Sequence, residues 1–504
     1  MRRLWAVARE TFLECLRTRI VLLFLMLLGT CVILMAMFME GDGTLKGRIQ
    51  TFLSYSGSAA QLLLGLVTVF LATSVITRDV QRKYIFLVAS KPLSRWQYIV
   101  GRWAGLVMLD ALLLAVSFGA IYGFAQYLRA QPTRDELRRA AGLLPANWLD
   151  RDRLAVESEV FTARLRFKPR PIDIKPLVDQ RMNELDQQKG MDNLIKDRLA
   201  RGLRVRNVNE HRPQEQPSQQ EIDEAFADPA TRQRVRAAIA GDVTKEIDSA
   251  VTFVRVGDKL DFVFENVPTP SYDEPLYLTY KLHPRKTPEN RTFHSSWVVY
   301  DKDAGPRPLY PQSDSTESVN TVLVPPDAVR HNQVSLWYLN ADLDVNTPVK
   351  FEMDEVTLLI RSGSFEGNIA RAAAIVLLRM MFLAGIGFLF GAFLSFPVAC
   401  LTCLLVLAVG FMNGFIQEAT NFEMAYNSVV TPTLFVSHYL AAGLCAIVPD
   451  FGRNSPVDCL VDGEIMPGSA VLRELGLGLG LRTWAALALG CVIFYRRELA
   501  RVQV

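Results

Sequence analysis

The sequence predicts a polytopic α-helical membrane protein of about six spans. A large extracytoplasmic α+β insert, containing a jelly-roll-like β-sandwich, interrupts the spans. Three observations carry this. Half of the 504 residues are apolar (50%), and these are concentrated towards the two ends of the chain. The middle, 129–366, carries 34 Lys and Arg against 38 Asp and Glu. From 251 onward apolar residues alternate with period two, as half-buried strands do. The net charge of +3, with no basic or acidic tail, excludes nucleic acid as a partner.

Residues 1–19 come first. Trp5, Ala8, Phe12 and Leu16 recur at helical spacing, with Arg2, Arg9, Glu10 and Arg17 elsewhere around the helix. This suits an amphipathic helix in the cytoplasmic interface. The apolar run that follows is too long for a signal peptide and lacks a small-residue cleavage site, so it is a span, about 20–39. The second span is about 59–76 and the third about 103–127. Residues 372–416 form a long apolar run that fits two spans, with a tight turn at Ser395, Phe396 and Pro397. Residues 434–448 are too short to cross and read as a re-entrant segment. A last span, about 475–495, ends at Arg496, Arg497 and Arg501. The positive-inside rule then places both termini and 77–103 in the cytoplasm, and 129–366 outside.

Within the insert, 133–154 read as helical or irregular, and 160–169 alternate like a strand. Residues 175–250 are charged and helix-prone, broken by the Pro/Gln-rich 210–220. Seven strand candidates follow between 251 and 362, separated by turn residues at short spacing. That is the pattern of a sandwich. Tyr277, Tyr280, Trp297, Trp337 and Tyr338 lie on these strands. Such aromatics stack on sugars or, more commonly, fill a core.

Catalytic motifs are lacking. There is no G-x-x-x-x-G-K-[ST] loop, no G-x-S-x-G elbow, and no metal-binding spacing among His211, His283, His294, His331 and His438. The chain by itself therefore reads as no enzyme, with no cofactor of its own. Gly476, Gly478 and Gly480 mimic a phosphate loop but lie in an apolar run, where helix packing is the better reading. His294 with Asp301 or Asp303 is ordinary polarity on strands. Cys400 and Cys403 make a C-x-x-C spacing, again in an apolar run. Cys445 and Cys459 both fall outside and are open to pairing. Three ionisable residues fall inside spans: Asp110, Arg379 and Arg482. Each costs about 3 kcal/mol at a helix centre, so each is a candidate for the translocation path. Snorkelling to an interface is the competing reading. In the sharper one, Arg379 and Arg482 lie at one depth around an outer vestibule that favours an anionic group.

The densest signal is 76–106. Arg78, Arg82, Lys83, Lys91, Arg95 and Arg102 face Asp79 alone between 77 and 103. Pro92 forces Lys91 out of helical geometry, and Ser94 is placed to cap the next helix. The pattern predicts a cytoplasmic elbow: a short apolar-faced helix, a turn, then a span.

This elbow resembles the intracellular loop of type-2 ABC-transporter permeases. The matching residues are Arg78 and Asp79, then Ser90–Arg95 (SKPLSR), then Tyr98, Gly101 and Arg102. The departure is Lys83-Tyr84, where Gly-Thr is usual. The resemblance covers about half the chain and leaves the polar middle unexplained. It implies the membrane subunit of an exporter in the bacterial cytoplasmic membrane. Two permease subunits, identical or different, would pair, joined in the cytoplasm by separate ABC ATPase subunits that hold ATP and magnesium. Arg78, Asp79, Arg82 and Lys83 would make polar docking contacts with the ATPase. Ser90, Lys91, Pro92, Ser94 and Arg95 would set the turn. The sandwich would be a periplasmic gate, receptor or partner-docking module. The alternative is a membrane-anchored binding protein whose sandwich takes glycan or envelope partners.

Overall fold

The computed structural model describes the chain apart from residues 1, 39–40, 42, 82–93, 144–149, 188–189, 210–216, 271–274, 287–291, 302–304, 310–311, 317–318, 343–345, 427–431, 453–454 and 497–504. Helix α1 (Arg2–Leu16) is the predicted amphipathic one, and it buries Val7, Ala8, Thr11 and Cys15. It meets the apolar α2 (Arg19–Phe38) at a bend of 60°. Helices α3 (Leu45–Gln81) and α4 (Arg95–Arg129) are both longer than the spans predicted for them. The pair Phe365–Gly391 and Phe396–Tyr426 breaks at the expected turn before Phe396. Pro432–Ile447 is short, as expected. Near the end, a π-helical stretch, Glu474–Thr483, runs into Trp484–Arg496. Among the described residues, five helices are long and apolar enough to cross a membrane, six if the bent pair counts as one span. With a separate β-sheet region, this is a polytopic helical architecture with a β insert, and we read it as a membrane protein.

The chain divides into two compact units. One comprises 1–163, 363–417 and 441–504; the other comprises 164–362 and 418–440. The insert expected from the charge pattern begins earlier, at 129, so that 129–163 group with the helices. The reason is polar. Asp152 accepts hydrogen bonds from the first backbone N–H groups of α3, Leu45 at 2.6 Å and Lys46 at 3.0 Å, groups that no helix can satisfy internally. Lys46 pairs with Glu159 at 2.5 Å. Arg153 donates to the carbonyls of Arg129 and Gln131 at the end of α4. Residues 150–163 thus fold with the helices.

The second unit has a helical part and a sheet part. Lys175–Gln187, Gly190–Asn209, Gln219–Ala227 and Pro229–Val251 are helices. Met191, Ile195 and Leu199 recur every four residues, as do Val235, Ile239 and Val243, and the six residues form one small core. Ser218 with Glu221 builds a capping box, and Asp228 caps the helix that begins at Pro229.

The sheet part holds the predicted strands. One sheet runs β1 (Ala163–Phe167), β12 (Thr357–Gly363), β4 (Leu276–Tyr280) and β9 (Asn320–Val324). A second runs β3 (Lys259–Glu265), β10 (Gln333–Leu339), β6 (Thr292–Asp301) and β7 (Gly305–Pro308), with β8 (Gln312–Ser315) also on β6. A small third sheet runs β2 (Phe253–Val254), β11 (Val349–Lys350) and β5 (His283–Pro284). Alternation decides what faces inward: Leu260, Phe262 and Phe264 on β3 are buried, as are Val334, Leu336 and Tyr338 on β10. Trp297 of β6 packs 4.9 Å from Tyr280 of β4, so the two larger sheets share one core. Tyr280, Trp297 and Tyr338 are thus core, and Tyr277 is buried as well. Trp337 instead stacks on Tyr300 at 4.3 Å, beneath the ammonium group of Lys259. The Tyr280 hydroxyl donates to Asp314, whose carboxyl is pushed up by burial.

Candidate functional site

The site is the base of the segment that joins α3 to α4. Its geometry begins with two glycines. A Cβ at Gly105 would run into the Ala8 carbonyl oxygen and meet Thr11 Cβ at 2.6 Å; one at Gly101 would meet Val7 Cβ at 2.9 Å. Small residues four apart let α1 lie directly on α4, the close approach typical of helices packed in membranes. That approach puts Arg102 beside α1 and beside the last turn of α3.

Arg102 then serves three helices at once. Its Nη2 donates to Asp79 Oδ1 on α3 at 3.1 Å, and its Nη1 to Glu14 Oε2 on α1 at 2.6 Å. Nη1 also reaches Thr11 Oγ1 at 3.4 Å, and Nε donates to the Tyr98 hydroxyl at 3.1 Å. Tyr98 in turn donates to Asp79 Oδ2 at 2.5 Å. Asp79 and Tyr98 are each 5% exposed and Arg102 is 9% exposed. The residues immediately flanking 82–93 are therefore tied to each other and to α1.

This relocates several expected site residues. Asp79 is no exposed docking contact: both its oxygens are engaged inside the bundle. Arg78 turns back on its own helix, donating to the Ser74 carbonyl at 3.1 Å and to Ser74 Oγ at 3.3 Å. Ser94 is the N-cap predicted for it and accepts from Gln97 N. Arg95 opens α4. Arg82, Lys83, Ser90, Lys91 and Pro92 lie outside the described residues.

The three ionisable residues in the spans have three different surroundings. Asp110 is 1% exposed; Thr68 of α3 donates to its Oδ1 at 3.1 Å, and its Oδ2 has no partner among the described residues. Arg379 is 5% exposed, with Nε and Nη1 unpartnered among the described residues and its guanidinium 5.8 Å from the centre of the Phe451 ring. Snorkelling explains neither. Arg482 instead donates to the Ala446 carbonyl at 2.7 Å, closing the end of the helix Pro432–Ile447. Arg379 and Arg482 thus have different immediate surroundings.

Other candidates resolve plainly. No disulfide joins any cysteines among the described residues, Cys445 and Cys459 included. Cys400 and Cys403 are buried in the helix Phe396–Tyr426. Gly476, Gly478 and Gly480 fall in the π-helical stretch, where the Thr483 hydroxyl donates to the Gly478 carbonyl. His294 pairs with Asp342 at 2.5 Å, not with Asp301.

Sequence reasoning missed Thr11 and Glu14 altogether and gave Tyr98 and Arg102 no role beyond their place in a motif. The available signal was Gly101-x-x-x-Gly105, which marks a face built for another helix. No protein-family model matches the chain, and no curated protein or solved structure matches it either.

Proposed function

We propose that this chain is the membrane-spanning subunit of a type-2 ABC exporter, driven by a separate ATPase that docks on residues 82–93. One observation carries the reading: the flanks of that segment are locked to each other and to the amphipathic helix by the Arg102–Asp79–Tyr98–Glu14 cluster. A docking segment can pass motion to spans only if its base does not yield. A mutually satisfied cluster, buried at Asp79, Tyr98 and Arg102, supplies that stiffness. The cluster holds position, and in this reading ATP and magnesium belong to the partner.

In this reading the protein sits in the bacterial cytoplasmic membrane, pairs with a second permease subunit, and keeps both termini in the cytoplasm. The insert, residues 129–366, lies outside. Its two larger sheets form a jelly-roll-type sandwich that acts as gate, receptor or partner-docking module. Docking contacts come from Arg78, Arg82 and Lys83, since both oxygens of Asp79 are occupied within the bundle. Asp110 and Arg379 remain the path candidates.

The test is co-purification of a co-expressed ABC ATPase. Exposed pairs give about 0–1 kcal/mol each, so Arg82→Ala and Lys83→Ala singly should weaken capture only slightly. The double change Arg82→Glu with Lys83→Glu should abolish it. Capture by the double variant at wild-type strength would remove the docking role and favour the membrane-anchored binding protein.

A further inference from the structure

The histidines show no metal spacing along the chain, yet the third sheet gathers one imidazole and two carboxylates at a single place. His283 stands on β5, paired in register with Lys350 of β11. Glu352 and Glu355 follow directly, on the connection from β11 to β12. His283 Nε2 and one oxygen of each glutamate all lie within 4.8 Å of one another, and His283 Nε2 is 2.5 Å from Glu355 Oε2. The backbone carrying these groups is anchored: Phe351 and Val356, which flank the two glutamates, are both 0% exposed. The side chains themselves are partly open, at 34% for His283 and 35% for Glu355, so an ion has a way in.

We propose that His283, Glu352 and Glu355 bind a divalent transition-metal ion, with zinc the best fit. One nitrogen and two carboxylate oxygens suit a borderline cation, and water would fill the fourth place. Ligand atoms about 2.0–2.1 Å from a tetrahedral ion stand roughly 3.3 Å apart. The observed spread needs only side-chain rotation to reach that, on backbone that is already fixed. Lys350, whose Nζ lies 3.7 Å from Glu352 Oε1, is the cation that zinc would displace. The bound ion would clip β5 to the β11–β12 connection and so stabilise the sheet unit. His294 with Asp342 provides an internal comparison: a His–carboxylate pair at the same 2.5 Å, but in no three-donor group among the described residues.

The experiment is a zinc titration of purified full-length protein in detergent, stripped with a chelator and read against a chromophoric competitor. Wild-type protein should take up one equivalent that His283→Ala and Glu355→Gln weaken by at least about a hundredfold, since even outer-shell changes cost 10–100-fold. His294→Ala should bind as wild type. Glu352 is 52% exposed, so Glu352→Gln leaves the fold intact and should still lose at least tenfold, which guards against variants that fail to fold. No zinc uptake by wild-type protein would overturn the assignment. So would His283→Ala, Glu352→Gln and Glu355→Gln titrations that overlay the wild-type curve.

Discussion

Arg102 and Arg379 are both buried in helices long enough to span a membrane, and their surroundings could hardly differ more. Arg102 donates to two carboxylates and two hydroxyls. Arg379 leaves two nitrogens without hydrogen bonds among the described residues and rests against a phenyl ring, within the field of Glu474, Asp450 and Arg473. Burying a charge costs several kcal/mol, and only good geometry with full hydrogen bonding recovers it. Arg102 meets that condition and so belongs to the framework. Arg379 does not, so stability does not account for it, which is why it stays a path candidate in the proposed function.

The comparison can be broken most directly at Arg102. Arg102→Ala leaves Asp79 and Glu14 without their cation and should destabilise the protein by about 3–5 kcal/mol. Replacing both charges, Asp79→Asn with Arg102→Met, should recover part of that loss. Unfolding in detergent measures both; a cost for Arg102→Ala below about 1 kcal/mol would mean that the cluster is not a keystone.

A smaller effect is expected where α1 meets α4. Gly105→Ala must push Ala8 and Thr11 away, at about 1–3 kcal/mol, and should loosen Glu14 from Arg102. Gly119 is the control, because a Cβ there meets nothing within 4 Å. Gly119→Ala should stabilise by about 0.8–1 kcal/mol through helix propensity alone. Equal responses at the two glycines would show that the α1–α4 contact is dispensable.

The smallest stability effect is expected at Arg379. Arg379→Leu should be neutral or stabilising by about 1 kcal/mol, as when a poorly compensated buried charge is replaced by a side chain of apolar character. In the proposed exporter, transport should nevertheless fall. A stability loss as large as that of Arg102→Ala would erase the contrast between the two arginines and make Arg379 structural too.

Much of the architecture was already legible in one dimension. The period of the apolar residues changes from 3.6 to 2 at about 251, and local backbone geometry enforces that change without help from distant residues. The break before Phe396, the cap at Ser94 and the separate helical stretch from 175 to 250 are local in the same sense. Their signals lie within a few residues of the structures they specify.

What sequence could not supply was partnership across distance. Asp79 looked like an exposed docking charge because along the chain it sits in a basic run; only the packing of α3 on α4 brings Tyr98 and Arg102 to it, and that of α1 on α4 brings Glu14 to Arg102. Asp152 caps a helix that begins 107 positions earlier and so ties 150–163 to the helices. His283 meets Glu355 across 72 positions. Apolar periodicity is written locally because burial is a property of a face. A hydrogen bond or a metal-binding set needs particular atoms within about 3 Å, and only the folded chain decides which atoms those are.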